Sequence, residues 1–234
     1  PSDACSVQAA IGAVNAVAFD ISAACAGFIF AMNIVEGFFK AGIYKTALII
    51  GAETLSKVTD WSDRGTCVLF GDGAGAAVLK AEETGIIDMM MGADGTKGDA
   101  LACTSRTVGN FLTGTKPELG FMTMDGQEVF KFAVRKVPES VMELLQRTGT
   151  KKEDIKYYVL HQANERIIEA AARRLKEPME KFPMTIGQFG NTSTASIPLL
   201  LDDMIQKDML KRGDKIIMSG FGAGMTWGAV LMEW

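Results

Sequence analysis

The sequence predicts an α/β fold in which helices cover sheets in layers, assembled from two related halves. Two observations carry this expectation. Short apolar runs rich in β-branched residues alternate with longer runs of helical periodicity, and glycines mark many of the boundaries. The chain also repeats itself. "KAGIYKTALIIGA" resembles "KRGDKIIMSGFGA" as helix end, glycine and strand, and "FGDGAGAAVLK" at 70–80 resembles "FGAGMTWGAVLM" at 221–232. Cys25 precedes Gly42 by 17 positions and Ser196 precedes Gly213 by the same 17, which puts Cys25 and Ser196 at equivalent helix starts.

The elements follow in order. Ala16 to Ile21 reads as a strand, a tight turn holds Cys25, and an apolar helix runs on to Phe39 before Gly42 stops it. A thiol at a helix N-terminus feels the partial positive charge of unpaired N–H groups, which favours the nucleophilic thiolate. A small buried core cysteine fits the same stretch equally well. Residues 45–52 read as a buried strand, and 66–70 and 76–80 as strands around "GDGAG". Residues 86–120 read as strand fragments and loop. Helical spacing returns from Gly126 to Arg147, with Pro138 expected to kink or interrupt it. "IKYYVL" is a strand leading to His161, and "NERIIEAAARRLKE" an amphipathic helix beginning near Asn164. A further helix starts near Asn191 and Thr192, and two strands around a glycine turn close the chain.

Composition narrows the function classes. The 234 residues are 48% hydrophobic and 22% charged, an ordinary globular balance with room for a sizeable core. The net charge of −4 argues against general nucleic-acid binding. Four scattered cysteines without a CxxC pair and a single histidine argue against a structural zinc site and for a reducing, cytoplasmic setting. No apolar run reaches the ~20 residues of a membrane span, and no signal segment stands at the start. The chain opens on Pro-Ser-Asp without an initiator Met, as a fragment or processed piece would.

Three polar positions interrupt the apolar pattern at element ends: Cys25, His161 in "HQAN" and Asn191 in "GNTS". Singly, each has a structural explanation as core thiol, satisfied histidine or helix cap. Together they supply a nucleophile and two hydrogen-bond donors, and strand ends in α/β sheets are where such groups collect. Papain-like cysteine proteases use Cys, His and Asn in this order, but their C-G-S-C-W signature and their disulfides are not seen here. The other chemistry that fits is acyl transfer onto the cysteine followed by carbon–carbon bond formation.

"DISAACAGF", "DRGTCVLFGDGAGAAVL", "HQANERII", "GNTSTASIP" and "FGAGMTWGAVL" resemble the β-ketoacyl-acyl carrier protein synthase III family of the thiolase-like superfamily, over nearly the whole chain. The resemblance implies a layered α-β-α-β-α fold from two duplicated halves. Residues 1–83 would be the remainder of the first half, with the nucleophile, and 84–234 the second, with His and Asn. It implies that an acyl-CoA acylates Cys25 and that malonyl-acyl carrier protein then condenses with the thioester, losing carbon dioxide. His161 and Asn191 would donate hydrogen bonds to the malonyl thioester oxygen. The backbone N–H groups of Cys25 and Ala223 would hold the other oxyanion, although many relatives carry Gly where Ala223 stands. Another thiolase-like acyltransferase, a polyketide-type synthase and a non-catalytic carrier-binding fragment are the competing readings.

Further roles carry over from the same resemblance. Arg64 would contact the CoA nucleotide, Gly126 and Asn164 the pantetheine channel, and Phe70 and Phe221 the acyl and pantetheine pockets. Leu69 and the loop 86–120 would shape the acyl pocket. Lys131, Arg166, Arg173 and Arg174 would form the basic patch on which the acidic carrier protein docks. No cofactor or metal is implied, since acyl-CoA is a substrate, and the family is homodimeric. Relatives begin with strand–helix units upstream of "PSDACSVQAAIG". Those would sit on a separate chain or be removed, and this piece alone is expected to be inactive.

Overall fold

The computed structural model describes residues 2–103, 108–118 and 120–234. Helix α1 (Asp3–Ala10) is followed by an irregular segment to Ala23 and a 3-10 turn at Ala24–Ala26 that runs into α2 (Gly27–Lys40). Strands β1 (Thr46–Glu53) and β2 (Gly73–Lys80) form an antiparallel pair. Then come β3 (Ile86–Ala93), the short pair β4 (Leu101–Cys103) and β5 (Met122–Met124), and α3 (Gly126–Thr148). The remainder is β6 (Ile155–Leu160), α4 (Glu165–Leu175), α5 (Ile186–Phe189), α6 (Ser196–Gln206), β7 (Lys215–Gly222) and β8 (Thr226–Glu233).

The main sheet has the order β3-β8-β7-β6, with β6 parallel to β7 and the other neighbours antiparallel. Helix α3 packs on one face together with α4, while α2 and α6 pack on the other and separate this sheet from β1–β2. The layers among the described residues are therefore α3/α4, sheet, α2/α6, sheet. Strand β7 is covered on both faces, which is why "IIMSGFG" is buried throughout and reads as a continuous run rather than an alternation. One core cluster, with Phe132, Leu144, Tyr158 and Leu175, fills the space under α3 and α4. The other joins Phe28 and Ile29 of α2 to Ile49, Leu200, Met218 and Val230, tying β1 to the main sheet.

Helix α3 shows how the sequence sets an element. Asp125 caps it by accepting from the N–H groups of Gln127 and Glu128, and Gly149, in the left-handed region at φ 66°, ends it. Its apolar stripe of Val129, Ala133, Val137, Val141 and Leu144 is buried. The expected interruption at Pro138 does not occur, and the helix runs through it. Proline has no N–H for the carbonyl four residues back, that of Val134. The Arg174 guanidinium donates to that carbonyl instead, at 2.7 Å.

The order helix, strand, strand recurs, as α2-β1-β2 and α6-β7-β8. The equivalent of Cys25 is not Ser196, however. Cys25 is the middle residue of a 3-10 turn whose first residue, Ala24, has φ 46°, and Thr194 is the middle residue of the turn Ser193–Ala195, whose first residue has φ 50°. Ser196 corresponds to Gly27, each being the first residue of its helix. Equal spacing to a glycine misleads because α2 has 14 residues and α6 has 11.

Three strand expectations are corrected. Residues 16–21 make no ladder among the described residues. Residues 66–70 form turns, with a single bridge from Phe70 to Asn191. Strand β1 is not fully buried. Ile49 faces the helices at 4% exposure, whereas Leu48 and Ile50 face outward at 43% and 38%.

Candidate active site

The turn that carries Cys25 is held from several sides. Thr194 Oγ1 donates to the carbonyl of Ala24 at 2.6 Å, and Thr226 Oγ1 donates to that of Ala23 at 3.1 Å. The end of β7 lies flush against it: a Cβ on Gly222 would stand 2.5 Å from the Cys25 backbone nitrogen. These contacts fix Ala24 in the left-handed region, costly for a residue with a Cβ and maintained where the surroundings over-determine it. The thiol is buried, and burial pushes its pKa up to about 11. Of the two readings open in the sequence, desolvation favours the resting thiol over the thiolate.

His161 follows β6, and its backbone N–H donates to the carbonyl of Ser219 on β7. Its Nδ1 lies 2.6 Å from Ser196 Oγ, and its ring meets the Phe221 ring edge-on at 5.4 Å. Burial pushes its pKa down to about 3, so the imidazole is neutral at ordinary pH. Asn191 is held through its backbone, donating to the Leu69 carbonyl and accepting from Gly71 N–H. Its side-chain oxygen accepts from Ser193 N–H at 2.9 Å, which leaves the amide Nδ2 as the end that can donate elsewhere.

Cys25, His161 and Asn191 line one cavity of about 240 Å³. Four of the other sequence-based candidates, Gly126, Asn164, Phe70 and Phe221, share its lining. Asn164 also caps α4, accepting from Arg166 N–H at 2.9 Å. Leu69 and Leu101 line the cavity as well, the latter within the loop 86–120, of which 104–107 and 119 lie outside the described residues. Arg64 sits in an exposed turn next to the lining residue Gly65. Ala223 follows the lining residue Gly222, and the positive φ of that turn falls on Gly224, at 126°.

The basic candidates lie on the surface of α3 and α4. Lys131 pairs with Glu128 at 2.9 Å and Arg173 with Glu169 at 3.7 Å, while Arg174 is engaged at Val134. Arg166 is exposed. Sequence reasoning gave no role to Gln162, Ser193 or the Ser196 hydroxyl. Gln162 is buried and bridges the Leu160 carbonyl to the N–H groups of Thr185 and Ile186. The available signal was their place inside "HQAN" and "GNTSTAS", among the residues already singled out.

The family model described as 3-oxoacyl-[acyl-carrier-protein (ACP)] synthase III matches residues 19–95, and the one described as its C terminal matches 145–234. The chain is 53% identical over its whole length to the beta-ketoacyl-[acyl-carrier-protein] synthase III of Clostridium novyi (strain NT), covering 73% of that protein. The crystal structure of 3-oxoacyl-[acyl-carrier-protein] synthase III from Aquifex aeolicus VF5 matches with a TM-score of 0.91 at 45% identity, over 100% of this chain and 72% of that one. The priming beta-ketosynthase from the R1128 polyketide biosynthetic pathway matches at 0.90 and 34% identity, over 100% and 70%. With this cavity, this layered thiolase-like fold and these identities, the chain belongs to the β-ketoacyl-[acyl-carrier-protein] synthase III family.

Proposed function

We infer that this chain is an acyltransferase of the condensing type, which starts fatty acid synthesis by joining an acyl group from acyl-CoA to a malonyl unit on acyl carrier protein. The observation that carries the reading is the meeting of a buried thiol, a neutral imidazole and an oriented carboxamide in one cavity. Cys25 sulfur attacks the acyl-CoA carbonyl, the CoA sulfur departs, and the thiol proton ends on it. The malonyl carboxylate then leaves as carbon dioxide. The electron pair of the broken C–C bond becomes an enolate, which attacks the Cys25 thioester and expels the Cys25 sulfur.

His161 and Asn191 act on the enolate oxygen. A buried neutral donor serves here because negative charge develops at that oxygen in a dry site, where a fixed N–H group needs no reorganisation. Losing either donor, in His161→Ala or Asn191→Ala, lowers the condensation rate about 100- to 1,000-fold. The second oxyanion, on the Cys25 thioester, falls to the backbone N–H groups of Cys25 and Ala223. Gly126, Asn164, Phe70 and Phe221 line the approach, and Arg64 lies outside it for the CoA nucleotide. Arg166, Arg173 and Lys131 present the positive charge that an acidic carrier protein would meet.

A second copy of the chain is the other partner of this reading. The reading places the reaction in the cytoplasm, and no helix among the described residues is long and apolar enough to cross a membrane. Polyketide priming is the second reading, favoured by the likeness to the R1128 ketosynthase. Supplying acyl-CoA with malonyl-acyl carrier protein or malonyl-CoA separates the outcomes. Product on the carrier protein supports the principal reading and product from malonyl-CoA the second. Acceptance of neither donor, with no acyl group on Cys25, would leave only a carrier-binding fragment.

A further inference from the structure

The proposed chemistry needs a particular proton on His161. A neutral imidazole carries one N–H, on Nδ1 or on Nε2, and only the nitrogen bearing it can donate. The structure ties one of the two. Nδ1 lies 2.6 Å from Ser196 Oγ, and both residues are buried, at 2% exposure each. Nε2 is thereby left as the nitrogen available to a ligand in the cavity that His161 lines.

The Ser196 hydroxyl has one proton to give and two lone pairs. One lone pair takes the Gln162 backbone N–H, at 3.3 Å. Among the described residues the acceptor within reach of its own proton is His161 Nδ1. If Nδ1 carried the proton instead, it would donate to Oγ, and the hydroxyl proton would be buried without an acceptor. Buried polar hydrogens in native proteins are rarely left so. The arrangement is therefore self-consistent in one form: Gln162 N–H to Ser196 Oγ, Ser196 O–H to His161 Nδ1, and the ring proton on Nε2.

We propose that Ser196 is a positioning residue that holds His161 in the Nε2–H tautomer and so aims its single N–H into the Cys25 cavity. The catalytic relevance of this assignment rests on the condensing-enzyme reading above, but the tautomer itself does not. Ser196 is the first residue of α6, and Gln162 follows His161 at the end of β6. The ring is thus locked between a helix start and a strand end, with Phe221 closing another side. The same segment also fixes Asn191: Ser193 N–H, two residues on, holds its carboxamide oxygen. Both donors are oriented by serines of the "NTSTAS" segment.

The chain has one histidine, so nitrogen-15 NMR of the labelled imidazole reads this ring alone. The wild-type protein is expected to show Nδ1 as the pyridine-type nitrogen and Nε2 as the pyrrole-type one. The reverse assignment would overturn the proposal whatever the variants do. In Ser196→Ala, folded by circular dichroism, the Nδ1 resonance is expected to move and the two tautomers to mix. The condensation kcat is expected to fall at least tenfold while acylation of Cys25 persists. Ser196→Thr, which keeps the hydroxyl, is expected to restore the wild-type nitrogen pattern. Unchanged nitrogen shifts in Ser196→Ala would also overturn the assignment. A wild-type protein with the expected tautomer but no malonyl-dependent condensation would instead count against the condensing-enzyme reading, leaving the tautomer assignment standing.

Discussion

His161 is the chain's one histidine, so its protonation leaves a separable mark on stability. Folded, it stays neutral down to about pH 3 because it is buried; unfolded, it takes a proton near its ordinary 6.5. The unfolded state then binds more protons, so stability is lost as pH falls below about 6.5. Between pH 7 and 5.5 this amounts to about 1 kcal/mol. Urea unfolding at both pH values is expected to show that loss in the wild type and not in His161→Gln, and equal losses would contradict it. Cys25 titrates at the other end. Its thiolate fraction grows about tenfold per pH unit until its pKa of about 11, so its alkylation rate at low reagent should climb tenfold per unit from pH 7 to 9. A rise that flattens toward pH 9 would mean an ordinary, solvated thiol, and a plateau already near pH 8 a thiol with a lowered pKa. At this scale the sequence made the three site residues legible, because each breaks an apolar pattern at an element end. The ionisation of Cys25 was not legible. Local chain direction suggested a helix-end charge, whereas the burial that decides the pKa comes from β7 and the Ser193–Ala195 turn, over 160 residues away in sequence.

Strands and helices were legible where periodicity was long or bounded by glycine. β6 was read with its observed bounds, and α3 was read from its stripe, with only its continuity missed. The reason is tertiary: Arg174, 40 residues from Val134, satisfies the carbonyl that Pro138 leaves open. A double-mutant cycle tests this account. Arg174→Ala is expected to cost about 1 kcal/mol with Pro138 in place and close to nothing with Pro138→Ala, whose restored N–H takes the same carbonyl. Equal costs in both backgrounds would mean that the guanidinium stabilises the helix some other way. Residues 66–70 looked like a strand from apolar content, but Asp63 holds Gly65 and Thr66 in a turn through its carboxylate. The glycine at the end of β7 is a positional requirement. In Gly222→Ala the new methyl must displace the Cys25 backbone, at about 1–3 kcal/mol. The variant is expected to melt earlier and to lose acylation, and a wild-type acylation rate would show that the Cys25 turn tolerates the shift.

At the scale of the whole molecule, the two sheets differ in how they are covered. The main sheet has helices on both faces, whereas the outward face of β1–β2 carries Leu48, Ile50 and Val78 at 43%, 38% and 72% exposure. Leu48 and Val78 are cross-strand partners, so they form one apolar face. Such faces are usually covered by another surface. Leu48→Lys with Val78→Lys is expected to reduce light scattering of concentrated protein, and unchanged scattering would mean that this face mediates no self-association. The duplicated plan was legible because both copies keep helix, strand, strand in order. The equivalence of Cys25 with Thr194 was not, since it depends on backbone torsions at Ala24 and Ser193.

The proposed reaction begins with one sulfur accepting an acyl group. Intact-mass analysis of the chain after exposure to an acyl-CoA, followed by peptide mapping, measures this directly. One acyl increment on Cys25, absent in Cys25→Ser, is expected. No increment, or an increment spread over Cys5, Cys67 and Cys103 and retained in Cys25→Ser, would contradict it.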